Sequence, residues 1–159
     1  MKTILIIILY LLLSNSQKAV SEKLTDSYIE IKHALVKSDS ETASKKSENM
    51  IEIINHIDSE CSNEIPLNFL KENRTKLLKF TEQIKNSNKI EIQRKSFEEL
   101  SILIWDYVKT FEVVNQDYYY FYCPMKKAYW VSYENEVKNP YYGSKMLTCG
   151  SISDKRLKK

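Results

Sequence analysis

Apolar residues recur every three or four positions through the first two-thirds of the chain, which is the spacing of amphipathic α-helices. The first predicted helix has its apolar face at Leu24, Tyr28, Ile31 and Leu35. Ser38 and Glu41 have the spacing of a capping box, so a second helix is predicted from Ser38 to about Ser59. Its inner stripe is Ala43, Ser47, Met50, Ile54 and Ile57.

Two further helices follow the same pattern. Pro66 suits the first turn of a third helix, whose inner face holds Leu70, Leu77, Leu78 and Ile84. Asn86-Ser87-Asn88 ends it, and Asn88 with Glu91 repeats the cap-and-acid spacing that starts a fourth helix. That helix is expected to bury Ile92, Phe97, Leu100, Ile104, Val108 and Phe111. Short connections predict a mainly α fold, an antiparallel four-helix bundle whose inner faces include Leu35, Ile54, Leu77, Leu100 and Ile104.

The pattern changes after Gln116. Residues 118–122 and 129–132 are rich in aromatic side chains, which favours two strands, and the residues between them suit a hairpin turn. Pro140 and Gly143 then mark a turn-rich segment, and residues 146–152 are expected to return as a short strand or a packed loop. We therefore predict a small C-terminal hairpin and turn-rich appendage on one end of the bundle.

The N-terminus has the pattern of an export signal. Lys2 precedes an apolar run from Ile4 to Leu13, and Ser14 and Ser16 are small residues suited to cleavage before Gln17. The run has about half of the roughly 20 apolar residues that a spanning helix needs. We predict a signal peptide at residues 1–16 and one helical domain at 17–159, with a sulfur-rich tail at 117–152. The mature chain is expected to have no transmembrane segment.

Charge and motif content exclude several functions. The 24 basic and 21 acidic residues nearly balance, so no nucleic acid or anionic membrane is expected as a partner. The basic residues at 155–159 are expected to form a frayed, solvated end. No nucleophile elbow or Gly-rich phosphate loop occurs, so no enzyme activity is expected. His33 and His56 each lack a second ligand one helical turn away, and both are expected to be solvated.

The tail contains two pairs of sulfur side chains, Cys123 with Met125 and Met146 with Cys149. Thiolate and thioether ligands select soft ions, so these four residues are candidate ligands for Cu(I) or Ag(I). The alternative is a disulfide between Cys123 and Cys149, worth roughly 3 to 4 kcal/mol in the chain-entropy model. Both hypotheses require the two thiols to lie close together, and the residues alone leave both open. Cys61 is expected to be a plain small side chain or an intermolecular contact.

Six short motifs extend across the helical region and the tail. They are IKHALVKSD at 31–39, QRKSF at 93–97, CPM at 123–125, WVS at 130–132, NPYYG at 139–143 and MLTCG at 146–150. As a set they resemble a bacterial family known as domain of unknown function 3347, over residues 24–152.

The resemblance implies an extracytoplasmic domain without an established activity, periplasmic or secreted in a Gram-negative bacterium. It also implies a metal efflux adaptor or an envelope protein as the partner, because such domains are often carried by or encoded near copper and silver efflux adaptors. It therefore favours soft-metal binding or an efflux-accessory role. The alternative is a disulfide-stabilised structural or protein-interaction module without metal.

Overall fold

The computed structural model describes residues 22–56, 65–112 and 114–158. The expected signal peptide, Ile57, Ser59 and Cys61 lie outside these residues. Helix α1 covers residues 22–36. The elements that follow are α2 (Ser40–His56), α3 (Ile65–Lys85), α4 (Ile90–Lys109), β1 (Tyr118–Cys123), β2 (Ala128–Ser132), a 3-10 helix (Gly143–Met146) and β3 (Ser151–Arg156). The described chain is thus mainly helical, with a small three-stranded antiparallel sheet at its C-terminal end.

The helical core follows the predicted apolar stripes. Leu35, Ile54, Leu77, Leu100 and Ile104 are all completely buried, which confirms their predicted inward orientation. Helix α3 packs against both α2 and α4. Tyr28 of α1 stacks on Phe97 of α4 at 4.8 Å between ring centroids. These contacts join the four helices, while the antiparallel order of a bundle stays a prediction.

Helix α2 begins at Ser40, two residues after the predicted start at Ser38. Asp39, and not Ser38, caps the helix, because its Oδ1 accepts a hydrogen bond of 2.9 Å from the Thr42 N–H. Ser38 still belongs to the turn after α1, with its own N–H donated to Leu35 O and a φ of 57°. Ser and Asp are both favoured caps, so the local pattern did not distinguish two neighbouring candidates.

The start of α4 also differs. The residue at the N-cap is Lys89 and not Asn88, and its side chain makes no capping hydrogen bond. Ile92 was predicted to be buried but is 46% exposed, whereas Gln93 is completely buried. The Gln93 amide donates hydrogen bonds to Ile84 O at 3.1 Å and Ser87 O at 2.7 Å, at the end of α3. Side chains of consecutive helix residues point about 100° apart around the helix axis. Because Gln93 faces inward and donates to these carbonyls, the Ile92 side chain points toward solvent.

The sheet has the strand order β2-β1-β3, with both pairs antiparallel. The predicted hairpin is confirmed, with residues 124–127 as the turn between β1 and β2. The segment after Pro140 forms a 3-10 helix that was not predicted, and the short strand expected within residues 146–152 begins only at Ser151 and runs on to Arg156. The sheet contacts the helices through β2, which packs against α4.

The basic residues of the C-terminal end do not fray within the described part of the chain, which extends to residue 158. Arg156 closes β3, and its guanidinium donates hydrogen bonds to Lys109 O at 2.9 Å and Phe111 O at 2.5 Å. The carbonyls at the C-terminal end of a helix lack intrahelical partners, and a cation there is favourable. The expectation of a frayed end was wrong, because it did not consider the end of α4 as an acceptor for Arg156. Lys155 and Lys158 are exposed, as expected.

A second arginine fixes the tail to the helices. Arg94 of α4 donates from Nε to Pro140 O at 2.8 Å and from Nη2 to Leu35 O at 3.1 Å and Ser38 Oγ at 2.9 Å. Gly143 lies against the same group with a φ of 57°, and a Cβ there would lie 2.7 Å from Ser38 Oγ. Three of the motifs noted in the sequence therefore meet around one guanidinium.

Candidate metal centre

The end of β1 and the loop before β3 bring the two tail cysteines together. Their Sγ atoms are 3.7 Å apart, although the residues are 26 positions apart in sequence. The antiparallel pairing of β1 with β3 places Tyr122 opposite Ser151, and so brings the loop residues just before β3 close to the end of β1. The prediction that these thiols converge is confirmed, and both are free thiols in this structure.

The two thiols differ in exposure. Cys123 is completely buried, and Cys149 is half-buried, so the pair opens to solvent on the Cys149 side. The Cys123 sulfur accepts a hydrogen bond of 3.4 Å from the Lys126 N–H. Partial burial is the largest cause that raises the pKa of the Cys149 thiol, and the hydrogen bond and charge of Cys123 raise it further. A hydrogen bond from the Met125 N–H partly offsets this shift. At neutral pH the Cys149 thiol is therefore protonated, and a metal ion that binds its sulfur must displace this proton.

The two methionines lie beside the thiols in sequence but differ in position. Met125 sits in the hairpin turn with 64% of its surface exposed. Met146 is half-buried at the end of the 3-10 helix, and its carbonyl accepts the Cys149 N–H at 3.1 Å. The structure thus brings the thiols together, places Met146 one turn before Cys149, and leaves the Met125 side chain largely open to solvent.

The Asn139 side chain forms hydrogen bonds within the loop that leads to Cys149, a role that the sequence analysis missed. Its Oδ1 accepts the backbone N–H groups of Tyr141 at 2.8 Å and Tyr142 at 3.3 Å. Its Nδ2 donates to Cys149 O at 2.6 Å. An Asn before Pro at the start of a turn is a known signal for side-chain to backbone bonding, so the first two contacts had a sequence signal. The contact with Cys149 had none.

Gly150 fixes the chain immediately after Cys149. Its φ is +151°, and a Cβ there would lie 2.5 Å from Trp130 Cη2 and 3.1 Å from Tyr122 O. Trp130 is completely buried and stacks on Phe121 at 5.1 Å. Only glycine fits this close approach, so the strand β3 can begin directly beside the indole. The position of Cys149 is therefore determined from both sides along the chain.

A buried lysine close to the sheet is the second feature that the sequence analysis missed. Lys32 is 1% exposed, and its Nζ donates to Ser132 Oγ at 2.9 Å. Burial lowers the Lys32 pKa to about 8, although the charge of Glu134 opposes the shift. Lys32 follows Tyr28 by four residues and precedes Leu35 by three, so helical periodicity alone places it on the buried face.

The remaining candidate ligands do not join the thiols. His33 and His56 are both exposed on their helices, in agreement with the expectation that they are solvated. Partial burial and the neighbouring Lys32 lower the pKa of His33. Within the described ranges, no group of three or more His, Cys, Asp or Glu side chains is placed to hold a metal ion.

The helical region of the chain matches a known protein family. The sequence model of a family described as "Protein of unknown function (DUF3347)" matches residues 24–116, more than half of the chain. The chain belongs to this family. The match covers the four helices of the DUF3347 chain and ends before β1, so it does not include the tail motifs. No curated protein and no solved structure matches the chain.

Among the helices of residues 22–56, 65–112 and 114–158, none has both the length and the apolar character needed to cross a membrane.

Proposed function

We propose that this DUF3347 protein binds a soft monovalent metal ion, Cu(I) or Ag(I), through the thiols of Cys123 and Cys149. The observation that carries the proposal is the 3.7 Å separation of the two sulfur atoms. A metal–thiolate bond is about 2.3 Å long for zinc, so sulfurs up to roughly 4.6 Å apart can share one ion. A closer separation bends the sulfur–metal–sulfur angle and leaves room for a third ligand.

The thioethers of the neighbouring methionines are the further soft ligands that this proposal assigns to the ion. Met125 follows Cys123 by two residues, and its exposed side chain is free to turn toward the thiols. Met146 is the second candidate, one turn before Cys149. Zinc is a poorer candidate, because it favours four thiolate, imidazole or carboxylate ligands. Cu(I) and Ag(I) accept two thiolates and a thioether, which matches the residues at this site.

The proposed setting is an exported domain that acts as a metal buffer or as an accessory to metal efflux. The signal peptide predicted at residues 1–16 and the sequence resemblance support a periplasmic or secreted location in a Gram-negative bacterium. The proposed partner is an efflux adaptor or another envelope protein. In this proposal an antiparallel four-helix bundle carries the tail, and Arg94 and Arg156 attach the tail to it through backbone carbonyls.

The experiment is an anaerobic Cu(I) titration of the reduced protein against a competing chelator. Cys123→Ser and Cys149→Ser should each remove tight binding, because one thiolate alone is a weak site. Cys61→Ser is the matched control, and it should bind as the wild type does. A wild-type protein that fails to compete for Cu(I), or a Cys123→Ser variant with unchanged affinity, would refute the proposal. Zn(II) titrated in the same way should bind more weakly than Cu(I).

The same 3.7 Å separation supports a second candidate, a structural or protein-interaction module closed by a disulfide. Export makes such a bond chemically permissible. A loop closed between Cys123 and Cys149 would stabilise the fold by about 3.5 kcal/mol in the chain-entropy model. Thiol counts of the purified protein before and after reduction separate the candidates. One free thiol before reduction favours the disulfide module, and three free thiols favour the metal site.

A further inference from the structure

The Asn139 side chain links the two ends of the tail loop. Asn139 is completely buried between β2 and the 3-10 helix. Its Oδ1 accepts two N–H groups at the start of the loop, and its Nδ2 donates to Cys149 O at 2.6 Å, at the end of the loop. Its backbone N–H also donates to Leu147 O at 2.8 Å. One residue therefore closes the loop by two hydrogen bonds to residues 147 and 149.

This closure matters because Cys149 is not part of a strand. β3 begins only at Ser151, so strand pairing does not hold the Cys149 backbone directly. The Cys149 N–H bonds to Met146 O within the same loop, which fixes the local turn and not its place beside β1. The Asn139 amide is the contact that connects Cys149 to the loop start.

We propose that Asn139 is the positioning residue of the thiol pair. By holding the Cys149 carbonyl, it keeps the Cys149 sulfur beside the Cys123 sulfur and so raises the effective concentration of one thiol at the other. The consequence for metal affinity rests on the proposed function. The thiol geometry itself does not, and it can be measured without any metal.

Effective concentration is a sensitive measure of this role. Two groups joined by a flexible chain meet at millimolar effective concentration, whereas well-oriented groups reach values many orders of magnitude higher. The measurement is the equilibrium of the reduced protein with glutathione disulfide in a Cys61→Ser background. One protein dithiol and one glutathione disulfide give one Cys123–Cys149 disulfide and two glutathione thiols. Two electrons pass from the protein sulfurs to glutathione, and the equilibrium constant has units of concentration.

The test variant is Asn139→Ser. A serine hydroxyl can still accept the N–H groups of Tyr141 and Tyr142, because Ser forms the same local turn more weakly. It is too short to reach Cys149 O. We expect the effective concentration to fall about tenfold or more, and the Cu(I) affinity to fall about ten- to a hundredfold, as for other residues that orient metal ligands. If Asn139→Ser does not fold, Asn139→Thr replaces it, because its hydroxyl can accept the same N–H groups and its methyl group fills more of the buried volume, while it is also too short to reach Cys149 O.

Ile54→Val is the control for general loosening, because Ile54 is completely buried in α2, far along the chain from the tail. It should lower the melting temperature without lowering the effective concentration. Equal losses in both variants, or no loss in the Asn139 variant, would overturn the proposal. If the wild type binds no Cu(I), the proposed function fails, while the glutathione equilibrium still decides the role of Asn139.

Discussion

Replacing the buried lysine with methionine tests the electrostatics of this fold. Lys32 is 1% exposed, and its ammonium donates to Ser132 Oγ at 2.9 Å. Methionine keeps the length and most of the volume of the lysine stem but carries no charge. Ser132 Oγ keeps a second hydrogen bond, from the Glu134 N–H at 3.2 Å, so the substitution does not leave the hydroxyl without a donor.

The expected gain in stability follows from the Lys32 pKa. Burial lowers that pKa from 10.5 to about 8 in the folded protein. Each pKa unit corresponds to about 1.4 kcal/mol, so burying the charged form costs roughly 3 kcal/mol. We expect Lys32→Met to raise the free energy of unfolding at pH 7 by about 2 to 3 kcal/mol. Replacing buried ion pairs by apolar residues of similar volume is often neutral or stabilises a protein by about 1 to 4 kcal/mol.

The gain should depend on pH in a defined direction. Below pH 8 Lys32 is protonated in both the folded and the unfolded chain, so the wild type carries the full cost of the buried charge. Between pH 8 and 10.5 the folded protein loses this proton first, and the unfolded chain binds more protons. Wild-type stability therefore rises with pH in this window. The difference between Lys32→Met and the wild type should shrink to near zero by about pH 10.5.

The assay is urea unfolding of the reduced proteins at pH values from 7 to about 10.5, monitored by far-UV circular dichroism. Comparing two proteins at each pH cancels the titration of other groups, such as Tyr28, whose pKa burial raises. Lys23→Met is the matched control, because Lys23 is exposed on the same helix and should change stability little. A Lys32→Met protein that is less stable than the wild type at pH 7 would refute the reasoning. So would a difference that does not vary with pH.

Three further predictions concern the tail and the core. Met125→Leu with Met146→Leu should weaken Cu(I) binding in a chelator competition but cost under about 1.5 kcal/mol per site in thermal unfolding; unchanged affinity would exclude the thioethers as ligands. Cu(I) affinity should rise with pH, because the metal needs thiolates and the Cys149 pKa is raised; a flat profile would contradict this. Leu77→Ala should destabilise the fold by about 2 to 5 kcal/mol in urea; a smaller loss would contradict its burial.

The sequence by itself determined the elements and the main candidate site. Apolar spacing identified the four helices and inner residues such as Ile104, because a helix can bury only one face. The aromatic run and Pro124 identified the β1–β2 hairpin. The two tail cysteines were also evident from the sequence, since soft ligands are few in this chain. The resemblance in the helical region agrees with the family match to residues 24–116.

Only the tertiary structure decided what the buried polar groups contact and which of two neighbouring positions is buried. Lys32 meets Ser132 across 100 positions of the chain, and Arg94 meets Pro140 across 46. Local periodicity fixes the face of a helix to within about one residue, so it could not choose between Ile92 and Gln93 at the start of α4. That choice depended on the carbonyl groups of Ser40, Ile84 and Ser87, which accept hydrogen bonds from the Gln93 amide in the folded protein. The link from Asn139 to Cys149 likewise follows from closure of the folded loop, which no local pattern encodes.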